Sequence, residues 1–417
     1  MMSEKKTSGG SAIKKFDGQT LHWLTIEPHT VASGILAQWF EEEYGVKIEI
    51  TAVPYSEITN HALRDINDGE REFDIFQYWY PMLGTLVEKG TLREISSWWE
   101  QKSDELNPQD FIPVFRDTWC VNQNLRYGVP FDGDMHLLFY NKVIFKEYNL
   151  LPPRTWDEYL ATARTITEAE RGNDRYGCGI MAANIPLILV GTYLNRLAGF
   201  GGDFIDSRGR PALDSPEALA ALEHLIAELP YALPDPTRVA FDEMLGPWLA
   251  GRVGMVEFWA DLGKISDNPE QSVVANQWGV VPLPKGPAPK GKVSAPLNAG
   301  WSLGVSSQAH YPDLALEFLK FSLRPDIMLR ICTIQGGLDP VRWSTYELPE
   351  FKDRVTEELA LAASSAIKSA AVPWPTDPRW EKMQAILNEN LYLAVTLIKT
   401  PKQALEETQV LWNQILA

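Results

Sequence analysis

Between Thr20 and Trp79 the chain alternates strand-like apolar runs with helical spacing, and this alternation restricts the possible folds more than any other feature. Leu21 to Ile26 reads as a strand, and Ala32, Ile35, Leu36, Trp39 and Phe40 then recur at helical spacing. Val46 to Val53 reads as a second strand. After a polar helical stretch, Phe73-Asp-Ile-Phe-Gln-Tyr-Trp79 reads as a third. Strands alternating with helices predict a parallel sheet with covering helices. In open α/β sheets the ligand lies beyond the carboxyl ends of the strands, so the loops after them are the place to look for function. Those loops carry Glu27 and His29 after the first strand, and Tyr78, Trp79 and Tyr80 after the third.

The same grammar returns after Gly128-Val-Pro-Phe-Asp-Gly-Asp-Met-His-Leu-Leu-Phe-Tyr-Asn-Lys142. Phe139 and Tyr140 belong to an apolar run behind turn residues, which predicts a buried strand. Thr155 with Glu158 three residues on predicts a capping box, opening a helix with apolar positions at Trp156, Tyr159, Leu160, Ala163 and Ile166. Further on, Asp206-Ser-Arg-Gly209 is a hairpin signal. Ser215-Pro216 is an N-cap with proline at N1, before a helix bearing Leu219, Leu222, Leu225, Ile226 and Leu229 on one face.

A chain of 417 residues is too long for one compact core, so two lobes are expected. The formal net charge of −17 works against binding a polyanion, because Lys and Arg supply most non-specific affinity for nucleic acid; nucleic-acid binding is set aside. Cys120, Cys178 and Cys332 are scattered and follow no metal spacing, so buried thiols are expected. The histidines are equally dispersed, without an H-E-x-x-H pair, and no metal or other cofactor is expected. No stretch is apolar for long enough to span a bilayer.

A series of motifs carries a resemblance. Pro152 to Leu160, within Leu151-Pro-Pro-Arg-Thr-Trp-Asp-Glu-Tyr-Leu160, follows the crossover segment quoted above. Leu249-Ala-Gly-Arg-Val-Gly-Met-Val-Glu-Phe-Trp259 comes next, then Asn298-Ala-Gly-Trp-Ser-Leu-Gly-Val-Ser306. Tyr311-Pro-Asp-Leu-Ala-Leu-Glu-Phe-Leu-Lys-Phe-Ser322 and Gly337-Leu-Asp-Pro-Val-Arg342 complete it. In content and order these resemble the bacterial extracellular solute-binding proteins of the carbohydrate type, family 1, from roughly Thr20 to the last helix. Glu257-Phe258 departs from the Gly-Pro that often stands before the tryptophan in that family.

The resemblance implies an α/β type II periplasmic-binding-protein fold: two lobes joined by a hinge, with a ligand cleft between them. It implies discontinuous lobes, with 19–128 plus 262–323 as lobe 1 and 129–261 plus 324–417 as lobe 2, and 1–18 as a disordered tail or cloning remnant. The implied function is capture of a mono- or oligosaccharide or a polyol by lobe closure, and delivery to the permease subunits of an ABC importer. The protein would be a monomer and not an enzyme. The amino terminus has the positive charges of an export signal but no apolar segment behind them. A periplasmic or extracytoplasmic location is therefore expected only if the natural signal has been removed; a cytoplasmic protein is the competing expectation.

A sugar offers apolar C–H faces and a rim of hydroxyls, so its site needs flat aromatic rings beside short polar side chains. Trp79, Trp259 and Trp301 sit at strand ends or in the family's cleft motifs, and Tyr78 competes with Trp79 for one position. Trp39, Trp156 and Trp412 fall on helical faces and are expected in the core. Of Asp132 and Asp134, the second is the expected hydroxyl acceptor and the first a turn aspartate. Asp261, Asn298 and Arg342 are further ligand candidates. Tyr392 resembles the late-chain aromatic of maltose-binding proteins, against a helix-face core role. Two alternatives remain open. One is a glycoside-hydrolase-like enzyme using Asp134 with Glu257 or Asp261, although no spacing demands that pair. The other is the same fold binding a polyamine, an amino acid or a phosphorylated polyol.

Overall fold

The computed structural model describes residues 16, 18–286, 295–296 and 300–417. The chain divides into two compact units, residues 1–132 with 301–341, and 133–300 with 342–417. Two main sheets use strands β1 (Thr20–Ile26), β2 (Lys47–Val53), β3 (Ile75–Trp79), β4 (Val129–Asp132), β5 (His136–Asn141), β6 (Tyr176–Gly179), β7 (Val253–Trp259), β8 (Trp278–Val281) and β9 (Trp301–Val305).

The first unit is built on a five-stranded sheet of order β2-β1-β3-β9-β4. The three strands read from the alternation are its parallel part, with β1 between β2 and β3. The helix Thr30–Tyr44 makes the first crossover and stops at Gly45, whose φ of 69° is a left-handed conformation that glycine adopts without a Cβ penalty. β9 then inserts antiparallel between β3 and β4. Trp301 faces Asp132 but Ser302 faces Pro130, so Phe131 is the extra residue of a bulge. β4 is an edge strand, where proline removes no needed ladder donor. Trp23, fully buried, packs on Phe131 and Phe318 at ring separations of 5.7 and 5.2 Å, tying the bulge to the helix Pro312–Ser322.

The second unit has a four-stranded sheet of order β8-β5-β7-β6. Here the observed boundaries differ from those expected. Residues 262–300 stay with this unit because β8 pairs antiparallel with β5 and Trp278 packs on Phe139 at 5.7 Å. Residues 324–341 stay with the first, where the Ile112 amide donates to the Val341 carbonyl. Residues 129–132 also belong to the first, through the β4–β9 pairing.

Local signals hold with one adjustment. Thr155 Oγ1 accepts from the Glu158 amide, but the Glu158 carboxylate reaches back to the Arg154 amide rather than to Thr155. Ser215 caps the helix Pro216–Glu228 as expected. In the predicted hairpin the Gly209 amide donates to the Asp206 carbonyl. Trp156 and Trp412 are fully buried. Trp39 is only half-buried, covered on one side by the Arg330 guanidinium 3.7 Å from its ring, so it is not the core residue expected. The Pro282 to Pro296 loop, read as a flexible excursion, lies mostly outside the described residues.

Candidate functional site

In the first unit, β1, β3 and β4 point their carboxyl ends the same way and antiparallel β9 begins there. Four side chains of the first unit are therefore carried at one end of its sheet. Trp79 and Trp301 are direct cross-strand partners, and Trp301 is also opposite Asp132. His29, in the turn Glu27–His29 after β1, lies edge-on to Trp301 at 5.9 Å.

A chain of hydrogen bonds fixes how His29 presents itself. Thr25 Oγ1 donates to Gln77 Oε1, so the Gln77 amide nitrogen faces His29 Nδ1 at 2.8 Å. Nδ1 must then accept, and the imidazole proton sits on Nε2, 3.4 Å from Asp132 Oδ2. Asp132 Oδ1 accepts from the Asp339 amide at 2.6 Å. The bulge at Phe131 turns Asp132 toward these partners, so this residue, read as a turn aspartate, stands among the strand-end groups. Gln77, which faces His29, was not singled out in the sequence. Its signal was a lone amide in an otherwise apolar strand.

Tyr78 points to the other face of β3 and is buried, its hydroxyl donating to the Trp119 carbonyl at 3.0 Å. Burial raises its pKa well above the ordinary value. Tyr78 thus lies apart from the Trp79, Trp301, His29 and Asp132 group. Glu27 is exposed in the same turn as His29.

In the second unit, Trp259 ends β7 and stands opposite His136 at the start of β5, edge to face with ring centroids 4.4 Å apart. Phe241 borders the same indole at 5.5 Å. Asp134 Oδ1 accepts from the amides of Met135 and Ala260, which holds the approach to β5 against the exit of β7. Asp261 follows at the start of the short helix Leu262–Ser266. Asp134, Trp259 and Asp261 are thus brought together, with His136 as a neighbour that the sequence reading did not single out.

Beneath Trp259 lies a buried polar layer. Arg196 donates to both oxygens of Glu257 at 2.8 and 2.6 Å and also to Glu228. Burial alone would lower the guanidinium pKa, but the two carboxylates outweigh it and hold it above the ordinary value. Asn195 donates to Glu257 at 2.7 Å and faces His136 Nδ1 at 2.9 Å. Burial, reinforced by the Arg196 charge, pushes the His136 pKa down to about 3. Burial raises that of Glu257, with Arg196 opposing. Glu257 is the departure from the family's wording noted above, and Arg196 is what it serves. The signal was a charged residue in each of two apolar runs, Pro186–Phe200 and Val253–Trp259.

Arg342 is completely buried, and Tyr392 lies half-buried on the helix Trp380–Val395. Asn298 lies outside the described residues.

Comparison with known proteins agrees with this architecture. A probable amino-acid ABC transporter periplasmic-binding protein of Sinorhizobium fredii is 25% identical, covering 96% of this chain and 90% of its own. An ABC transporter solute-binding protein of Agrobacterium radiobacter, solved with ribitol, superposes with a TM-score of 0.85 at 19% identity, over 96% of this chain and 99% of its own. The maltose-bound MalE3 of T. maritima gives a TM-score of 0.85 at 22% identity, over 95% and 100%. The family model for bacterial extracellular solute-binding proteins matches residues 26–328. With that match spanning most of the chain and the two-unit α/β fold in agreement, the protein belongs to the bacterial extracellular solute-binding protein family.

Proposed function

We propose that this protein captures a neutral polyhydroxylated molecule, a mono- or oligosaccharide or a polyol, and delivers it unchanged to an ABC permease outside the cytoplasmic membrane. The observation that carries the reading is the strand-end group of the first unit: two adjacent indoles, Trp79 and Trp301, beside the imidazole N–H of His29 and the Asp132 carboxylate. Flat apolar rings with a fixed donor and a charged acceptor suit a C–H face rimmed by hydroxyls. Ribitol and maltose in the structural relatives support the same class.

The name of the Sinorhizobium relative favours a second reading, an amino acid. An α-carboxylate calls for cationic or N–H partners, whereas the carboxylate of the first unit's strand-end group is Asp132. Of the carboxylates a hydrolase could draft, Glu257 is bound by Arg196 and Asn195, and Asp134 accepts from the Met135 and Ala260 amides. Calorimetry with ribitol, mannitol, maltose and a set of amino acids tests the reading, with NMR of each bound sugar to follow turnover. Binding heat from a neutral sugar or polyol, with anomeric signals unchanged over hours, is the expected result. Heat from amino acids alone, or protein-dependent hydrolysis, would overturn it.

A further inference from the structure

We infer that Glu257, acting through Asn195, fixes the tautomer and ring orientation of His136 and thereby the pose of Trp259, so that Glu257 and Asn195 are positioning residues for ligand binding. This rests on the sugar or polyol ligand proposed above and on the expectation from the sequence that Trp259 meets it. The Asn195 amide nitrogen lies 2.7 Å from Glu257 Oε2 and 2.9 Å from His136 Nδ1, one N–H for each. Turning the amide over would bring its oxygen against a carboxylate oxygen, so Glu257 dictates which way Asn195 faces. An N–H aimed at Nδ1 requires a lone pair there, and the His136 proton must sit on Nε2. A second proton is disfavoured by burial and by the nearby Arg196.

The orientation is passed on because His136 and Trp259 are direct cross-strand partners with ring planes 83° apart. Glu257 is itself held rigidly. Both its oxygens accept from Arg196, whose guanidinium lies 4.5 Å from the Trp156 ring and also binds Glu228. Glu228 in turn meets His224 Nδ1 at 2.5 Å. Apolar residues of similar volume stabilise a core at least as well as a buried ion pair. What they cannot do is choose between the two faces of an amide or the two nitrogens of an imidazole, and that choice is what this layer supplies.

Long-range 1H–15N correlation of the histidine side chains tests the inference in the full chain. Only six histidines are present, and His136→Gln assigns the relevant signal. The expected parent spectrum has the His136 proton on Nε2 at pH 7 and still at pH 5. Glu257→Gln lets the neighbouring amide turn either way, and Asn195→Leu removes it, so both should give mixed tautomers. Both should also weaken ribitol or maltose binding by about threefold to thirtyfold, Asn195→Leu more than Glu257→Gln. A parent proton on Nδ1 overturns the inference without any variant having to fold. Parent-like affinity in both folded variants overturns it as well. A parent protein that binds neither probe counts instead against the proposed function, and the tautomer measurement then decides the coupling by itself.

Discussion

Trp301 stands directly opposite Trp79 on one side and Asp132 on the other, so a single residue at the start of β9 joins the aromatic and the charged parts of the strand-end group. Trp301→Ala should weaken sugar or polyol binding by about 1–3 kcal/mol, as for a central contact residue. Trp412→Ala is the contrasting case. It is fully buried among Phe204 and Trp380 and donates to the Met383 carbonyl, so its loss should cost about 3–5 kcal/mol of stability and leave affinity in the surviving fold unchanged. Calorimetry and denaturant melts on both variants separate the two roles, and equal affinity of Trp301→Ala and parent would remove Trp301 from the ligand site.

Asp132→Asn replaces one carboxylate oxygen by an amide nitrogen, and with Oδ1 kept for the Asp339 amide, an N–H meets the N–H of His29. The clash should cost about 1–3 kcal/mol in stability and reduce ligand affinity. Gln77→Glu lets His29 place its proton on Nδ1 instead, because the new carboxylate accepts from both Thr25 and His29. The double variant should therefore recover part of the loss, with a coupling energy of about 1 kcal/mol. Strict additivity in a double-mutant cycle would contradict the hydrogen-bond chain.

Gly128→Ala should destabilise the first unit by about 1–3 kcal/mol or more through overpacking. An added Cβ would lie 2.2 Å from Tyr78 Oη and 2.8 Å from the Leu303 carbonyl oxygen. The carbonyl belongs to β9 and cannot rotate away. The shift of the urea midpoint at constant slope measures the effect, and an unshifted midpoint would show that Tyr78 does not fill that space.

Stability should decline as the solution is acidified, partly through His136. Its pKa of about 3 in the folded protein lies below the ordinary 6.5, so in that interval the unfolded chain binds a proton that the folded chain does not. Unfolding therefore gains about 1.4 kcal/mol per pH unit from this group as pH falls from 6.5 toward 3, and nothing above 6.5. Comparing the pH dependence of unfolding free energy for parent and His136→Gln between about pH 7 and 4 checks this; the variant should have the shallower slope.

The fold was legible wherever periodicity and caps acted locally. β1 to β3, the helix from Trp156 and the Ser215 cap appear where the apolar spacing put them. The unit boundaries were less legible because they depend on which strand β8 and β4 choose as a partner, a long-range pairing that local pattern does not encode. The site shows the same division. Trp79 could be placed at a strand end by counting along the strand, whereas Trp259 and Trp301 were reached through the motifs that resemble the family's. Asp132, read as a turn aspartate, ends a strand instead, because the bulge at Phe131 leaves no mark in an alternating pattern. Trp39 was misread because helical spacing shows which side of a helix faces inward but not that Arg330 cloaks a ring at its margin.

Asp132 is fastened to the Asp339 amide within the first unit, and Asp134, two residues later, is fastened to the Ala260 amide within the second. Gly133 lies between these two fastenings, at the point where the chain passes from one unit to the other. Glycine has the widest range of backbone angles of any residue. The backbone freedom of Gly133 thus lies between two neighbours that are each clamped by a carboxylate. A side chain at position 133 would narrow the backbone angles open to that residue, and loss of either carboxylate would release the amide it holds.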